Sequence, residues 1–242
     1  MADADLRYTG LRMVRLANAD LTGADLTGAN LAGAYLTRAN LTGANLTGAN
    51  LTRAILTHTT LESVNLSRAV LLEAHLRGAN LRSAALPHAI LVGARLREAN
   101  MAHADLSASS LHGADLTGAD LTRAVLTNTS LGGARLTNVV LRSARLLGTN
   151  LVNVDLTGAD LNSASLIEAD LTGADLSGAD LRDAILTDAN LVAVTWSERT
   201  QWPSSLVRAM RNRSVPIGGG QYQVQGSGSS GADLSVPPVP VG

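Results

Sequence analysis

The sequence predicts an all-β solenoid, a chain that coils on itself and turns a corner every five residues. Three observations predict it. Leucine recurs at every fifth position from Leu6 to Leu191, filling 37 of 38 places, with Met101 the exception. Two residues before each leucine position stands a small residue. It is Ala at 29 of the 39 positions from Ala4 to Val194, and Thr, Val or Ser at the rest. The residue between the two is Asp or Asn at 20 of the 39 positions from Asp5 to Thr195. A period of five fits neither an α-helix, at about 3.6, nor a flat strand, at about 2. On a helix the leucine stripe would drift around the axis by about 140° per repeat, and the many Gly and Asn would weaken it.

The elements follow in order. Residues 4–195 form the coiled repeat, with leucine and its small companion pointing inward and the other three residues outward. Stacked coils at the strand spacing of about 4.8 Å satisfy each other's backbone groups. The companion must be small, because a bulky residue would overpack a narrow tube. Asp and Asn side chains are expected to bond nearby amides and to tolerate the corner dihedrals, and the abundant Gly to sit in repeat corners. At Trp196 the register meets an aromatic and the five-residue code is expected to stop. Residues 196–226 read as a C-terminal cap. Trp202 to Met210 predicts a short helix with Pro203 in its first turn, and Trp196, Trp202, Leu206, Val207 and Met210 are expected to cover the last coil or serve a dimer contact. Ser214 to Gly226 predicts a hairpin around Gly218-Gly219-Gly220, with Tyr222 and Val224 packing. Residues 227–242, rich in Gly, Ser and Pro, read as a disordered tail.

Composition narrows the function. The 242 residues contain no Cys, Phe or Lys, so all 19 basic residues are Arg. Without Cys there is no disulfide framework, thiolate metal site or cysteine nucleophile. A net charge of −1 argues against bulk attraction to nucleic acid or acidic membranes. No apolar run approaches the ~20 residues that span a bilayer, and the N-terminus shows no signal-peptide pattern. The expected location is cytoplasmic. The five histidines, His58, His75, His88, His103 and His112, do not recur at a common spacing. No serine has a partnered His and Asp at a shared interval, and no glycine-rich phosphate loop is present. No catalytic residue, metal or cofactor is expected, and the protein reads as a non-enzyme.

The pattern closely resembles the pentapeptide-repeat family, A-(D/N)-L-x-x, across residues 4–195. The resemblance implies a right-handed quadrilateral β-helix of about 9–10 coils, with four pentapeptides per coil and residues twenty apart stacked. It also implies a homodimer, with the C-terminal end as first choice. Repeats begin at Ala4, so the first coil is the alternative contact. Among relatives, the quinolone- and albicidin-resistance proteins look like B-form DNA and bind DNA gyrase, a type II topoisomerase. This chain differs from them in lacking Phe, in its near-zero net charge and in having no loop insertions. The Trp-Pro cap followed by Gly-Gly-Gly-Gln-Tyr looks like actinobacterial repeat proteins, and all-Arg basicity with high Ala and Gly suits a GC-rich bacterial genome.

Three outer features are candidate surfaces on that model. The first is acidic: Asp155, Asp160, Asp170, Asp175, Asp180, Asp183 and Asp188, with Glu168, stand against one base, Arg182, between Asp155 and Asn190. A rod of duplex-like width and negative charge would bind a DNA-binding protein in place of DNA. The second is a basic band of Arg77, Arg82, Arg95 and Arg97 with His75, continued by Arg123, Arg135, Arg142 and Arg145. It lacks the interleaved aromatics of single-strand binders. The third is apolar: Val70, Leu72, Ile90 and Val92 in outward positions, and a smaller pair, Leu147 and Ile167. Contiguous exposed apolar surface is a contact signal. Two functions follow as expectations, a gyrase-directed DNA mimic acting through the acidic end and a protein-interaction scaffold acting through the Val70/Ile90 face.

Overall fold

The computed structural model describes residues 1–226. Residues twenty apart pair as parallel β-bridges, from Asp5 with Asp25, Gly10 with Asn30, Arg15 with Tyr35 and Asp20 with Asn40 up to Asp175 with Thr195. One coil therefore takes four five-residue units, and the bridges form four columns along the rod.

The repeat accounts for all five of its amides, which explains its residue types. In the unit around Leu26, the Leu26 N–H donates to the Asn45 carbonyl of the next coil at 2.7 Å and the Gly28 N–H to Thr47 at 2.9 Å. One coil on, the Asn45 N–H returns to the Ala24 carbonyl at 2.9 Å. The Ala29 N–H donates to the Leu26 carbonyl at 2.9 Å, closing a β-turn at the corner. The fifth amide, on Thr27, has no backbone acceptor. Asp25 Oδ1 accepts it at 3.0 Å and also accepts the Thr27 hydroxyl at 2.5 Å. Asp or Asn before leucine therefore completes the hydrogen bonding of a unit. Asparagine adds a bond between coils, as from Asn45 Nδ2 to Thr27 Oγ1 at 2.9 Å.

The expectation that Asp and Asn absorb the corner dihedrals is corrected here. The left-handed residue is the second after leucine, at every fifth position from Asp3 to Ala193. Fourteen of these 39 positions are Gly, and none is Val, Ile or Thr. Left-handed backbone crowds a Cβ and most of all a branched one, so the corner excludes residues that the position just before it takes freely. Ala108, exposed and at φ 55°, makes no compensating side-chain bond. Ala108→Gly is expected to stabilise the rod by about 1 kcal/mol, measured as a higher urea midpoint. A lower midpoint would contradict the corner account.

The interior is the leucine and alanine ladder. Every leucine-register residue from Leu21 to Leu191 is buried, whereas Leu6, Leu11 and Leu16 in the first coil are only partly so. Buried hydroxyls at the companion position donate to leucine carbonyls of the coil before, Thr59 to Leu36 at 2.9 Å, Thr129 to Leu106 at 2.8 Å and Thr149 to Leu126 at 2.7 Å. These hydroxyls are thus satisfied inside an apolar tube.

The C-terminal end departs from the sequence reading in three ways. First, the code does not stop at Trp196. It continues for one more side with a single inserted residue, so that Gln201 bridges Asp180 twenty-one positions back. Thr200 takes the companion place, its hydroxyl donating to the Leu176 carbonyl at 2.8 Å, and Trp202 takes the leucine place, 5% exposed. Second, the helix is shorter than predicted: α1 runs Val207–Asn212, with turns over residues 204–206 before it. Val207 points outward at 43% exposure and does not cover the coil, Leu206 is half-buried, and only Met210 of the helix is buried. Third, the hairpin β2 (Ser214–Gly218) and β3 (Gln221–Val224) gains a third strand, β1 (Thr195–Ser197), in the antiparallel order β1-β3-β2. Trp196 stacks on Tyr222 at 4.7 Å and meets Trp202 edge-on at 6.1 Å. Its indole N–H donates to Ser214 Oγ at 2.8 Å, which ties the sheet to the rod. The tail expected at 227–242 lies outside the described residues.

Candidate interaction surface

The outer positions form columns because coils repeat every twenty residues. The acidic residues do not gather on one of them. Asp155 bridges Asp175 in one column, Asp160 bridges Asp180 in the next and Asp170 lies in a third. Asp183 and Asp188 occupy left-handed corners. Two of these carboxylates carry arginine counter-charges. Arg182 binds Asp180 at 2.6 Å, and Arg142, from the coil before, is brought onto Asp160. Others serve the backbone: Asp155, Asp170 and Asp175 accept the amides of Thr157, Thr172 and Ser177 at 3.0, 3.0 and 2.8 Å. The acidic end is therefore a set of completed repeats with partial neutralisation. Counting charge along the chain missed Arg142 because it lies 18 residues upstream of its partner.

The side-chain hydrogen bond from Arg182 holds the Asp180 carboxyl below its ordinary range, against the opposing effect of burial. At Asp155 burial opposes ionisation, and hydrogen bonds from Thr157 and Thr137 outweigh it to lower the pKa. A carboxylate whose pKa is lower folded than unfolded stabilises above the unfolded value. That stabilisation is lost as pH falls through the folded value. The rod is expected to lose stability as pH drops below 3.8, the ordinary Asp value. Asp180→Asn should flatten the fall, read as urea midpoints at pH 6 and pH 3. An unchanged slope in the variant would show that the pair contributes nothing.

The basic band is also interleaved with acids. Arg77 meets Glu98 at 3.3 Å and Arg97 meets Asp115 at 3.8 Å. Arg95, Asp115, Arg135 and Asp155 alternate in sign up one column. Opposite charges one coil apart attract weakly at the surface, so no continuous positive field develops there.

The apolar patch is assembled as the stacking requires. Val70 bridges Ile90, and the Arg53 and Glu73 amides bond the Leu72 and Val92 carbonyls at 2.8 and 3.0 Å in the flanking positions. Ile90 is 42% exposed; Val70, Leu72 and Val92 are half-buried. In the second cluster Leu147 underlies Ile167, and exposed Ile185, which the sequence reading did not include, bridges Ser165 two residues before Ile167. Among the described residues no group of three or more His, Cys, Asp or Glu is placed to hold a metal ion, and no helix is long and apolar enough to cross a membrane.

Comparison with known proteins agrees with this geometry. The family described as pentapeptide repeats matches the chain in eight copies, with matched stretches at residues 1–36, 19–57, 54–91, 89–128, 119–158 and 155–192. The chain belongs to the pentapeptide repeat family. Solved structures described as pentapeptide repeat proteins are among those it resembles. HetL, involved in heterocyst differentiation regulation in the cyanobacterium Nostoc sp. strain PCC 7120, is 38% identical over 77% of this chain and 89% of its own, with a TM-score of 0.39. A pentapeptide repeat protein of the Arabidopsis thaliana thylakoid lumen is 25% identical over 49% of this chain and 83% of its own, with a TM-score of 0.43. A trypsin-treated form of QnrB1, a plasmid-mediated fluoroquinolone resistance protein, is 18% identical over 87% of this chain and 95% of its own, with a TM-score of 0.44. No curated protein sequence matches the chain. In this pentapeptide repeat protein, as in the geometry above, the inward positions are spent on the core, and what distinguishes the chain lies on its outside.

Proposed function

We propose that this protein is a non-enzymatic protein-binding rod that docks a partner through the Val70, Leu72, Ile90 and Val92 face. The observation that carries the reading is that the column of Val70 and Ile90 turns apolar on two adjacent coils, where it otherwise holds polar residues or Gly, as at Asn30, Asn50, Ser110, Ser130, Asn150 and Asp170. Four turns per coil support a right-handed quadrilateral cross-section, whose flat sides suit such docking. The exposed Val207, Val215 and Ile217 of the cap support a homodimer at that end. Immobilised protein is expected to retain a partner from a bacterial lysate in about 0.5 M salt, because apolar contacts are not screened. Val70→Asp should release it. Equal retention by that variant would remove the patch from the function, and sedimentation showing only monomer at tens of micromolar would remove the dimer.

A second reading is a DNA mimic that occupies DNA gyrase and protects it from inhibitors. The stacked pair Asp155 and Asp175 favours it, since neither carboxylate makes an ion pair among the described residues. In a supercoiling assay with a quinolone, this reading requires salt-sensitive protection that is lost in the Asp155→Asn/Asp175→Asn variant. No effect up to tens of micromolar leaves the scaffold reading alone.

A further inference from the structure

The first three coils are electrically two-sided, a property invisible along the chain. Two adjoining sides, residues 10–18, 30–38 and 50–58, carry Arg12, Arg15, Arg38 and Arg53 and no carboxylate. The other two sides, residues 1–8, 20–28 and 40–48, carry Asp3, Asp5, Asp20 and Asp25 against Arg7 alone. Coiling with a period of twenty collects like charge on opposite edges of the rod.

The positive edge also exposes apolar surface, although Tyr8, the most exposed aromatic of these coils, lies on the acidic sides. Met13 is 60% and Tyr35 39% exposed, and Tyr35 is bridged by Arg15 below and Ile55 above. Met13 lies across Gly33, whose missing side chain leaves it room. Arg12, Met13, Ala32, Gly33, Tyr35, Thr52, Arg53 and Ile55 enclose a shallow cleft of about 390 Å³. Arg53 is engaged by Glu73 at 2.7 Å, while Arg12, Arg15 and Arg38 make no ion pair with any described residue.

We propose that this edge, formed by Arg12, Arg15, Met13, Tyr35 and Ile55, is a second docking surface, and that its partner is an acidic protein segment carrying a large apolar side chain. The arginines match carboxylates flanking the anchor, and the Met13, Tyr35 and Ile55 cleft takes the anchor itself. A single-stranded nucleic acid fits less well, because successive bases need successive aromatic faces and Tyr35 stands alone between Arg15 and Ile55. This surface adjoins the Val70/Ile90 patch, since the Arg53 amide bonds the Leu72 carbonyl of the next coil, but Arg15, Tyr35 and Ile55 stand in a different column, and the inference goes beyond the function proposed above.

The test uses the full chain and a fluorescein-labelled peptide, Glu-Asp-Glu-Phe-Leu-Glu-Asp-Glu, followed by anisotropy. Saturable binding is expected, weakened about tenfold or more by Arg12→Glu/Arg15→Glu and several-fold as salt rises from about 50 to 500 mM. Tyr35→Ser should weaken it at unchanged charge, and Ile90→Asp should leave it alone, which separates this surface from the other patch. The thermal midpoint shows that the variants remain folded, and Arg12→Gln/Arg15→Gln serves should the double reversal unfold. Four results would overturn the proposal: no binding of the peptide, equal binding once its Phe-Leu is replaced by Ser-Ser, tighter binding of a twelve-residue oligothymidine, or indifference to the arginine variants.

Discussion

Leu96→Ala, in the middle of the rod, is expected to cost about 3–5 kcal/mol. Leu96 is fully buried, with Leu76 and Leu116 in the same column one coil away on either side. Its neighbours are held by hydrogen bonds to coils above and below, so the wall cannot collapse into the space left behind, and the cavity adds to the lost transfer energy. The same change at Leu6, half-buried in the first coil, removes less apolar contact and is expected to cost about 1 kcal/mol. The converse change, Ala94→Leu, should also destabilise, because fully buried Ala94 leaves no room for three more carbons. Urea unfolding of the three variants measures the order. Equal costs at Leu6 and Leu96 would mean that burial along the tube does not govern stability.

The second large effect separates the fold from the surface. Deleting five residues, 76–80, is expected to leave the thermal midpoint within a few degrees and to abolish the Val70/Ile90 patch completely. The inward code has a period of five, so each downstream leucine and alanine still points inward and each amide finds an equivalent acceptor. The columns have a period of twenty, so everything after the deletion advances by one side. Val70 then bridges Arg95, and Ile90 moves around the corner. Because the protein has no Cys, Val70→Cys/Ile90→Cys reports this directly with a short bismaleimide. The pair should cross-link in the full chain, fail to cross-link in the five-residue deletion, and cross-link again when twenty residues, 96–115, are removed instead. Cross-linking in the five-residue deletion would refute the stacking.

Most of the fold was legible because the repeat is local. Leucine, its small companion and the Asp or Asn between them repeat without a break, and their spacing excluded both helix and flat strand. The left-handed corner was equally legible, in the Gly placed there and in the absence of Val, Ile and Thr from every fifth position, and only the Asp or Asn before leucine was given a corner role it does not have. The Asp25 side chain holds an amide while Gly28 makes the bend. At the C-terminal end the one-residue insertion hid the last side of the solenoid. Thr200 and Trp202 occupy inward places that a strict count of five does not reach.

The surface was less legible. The acidic residues read as one block in sequence and are spread over three bridge columns and two corners in the rod, with Arg142 brought back onto Asp160. Arg12, Arg15, Tyr35 and Arg53 are scattered over some forty residues and meet on one edge. The Val70 and Ile90 pair was found because the stacking interval of twenty was supplied by family resemblance.

The sequence by itself determined which side chains are inside. That choice depends only on a residue's place within its own five-residue unit, where local backbone geometry aims each side chain in or out. The tertiary structure decided which outer side chains are neighbours. That depends on how many turns close a coil before its amides meet those of the next, and closure is a property of twenty residues and two coils acting together.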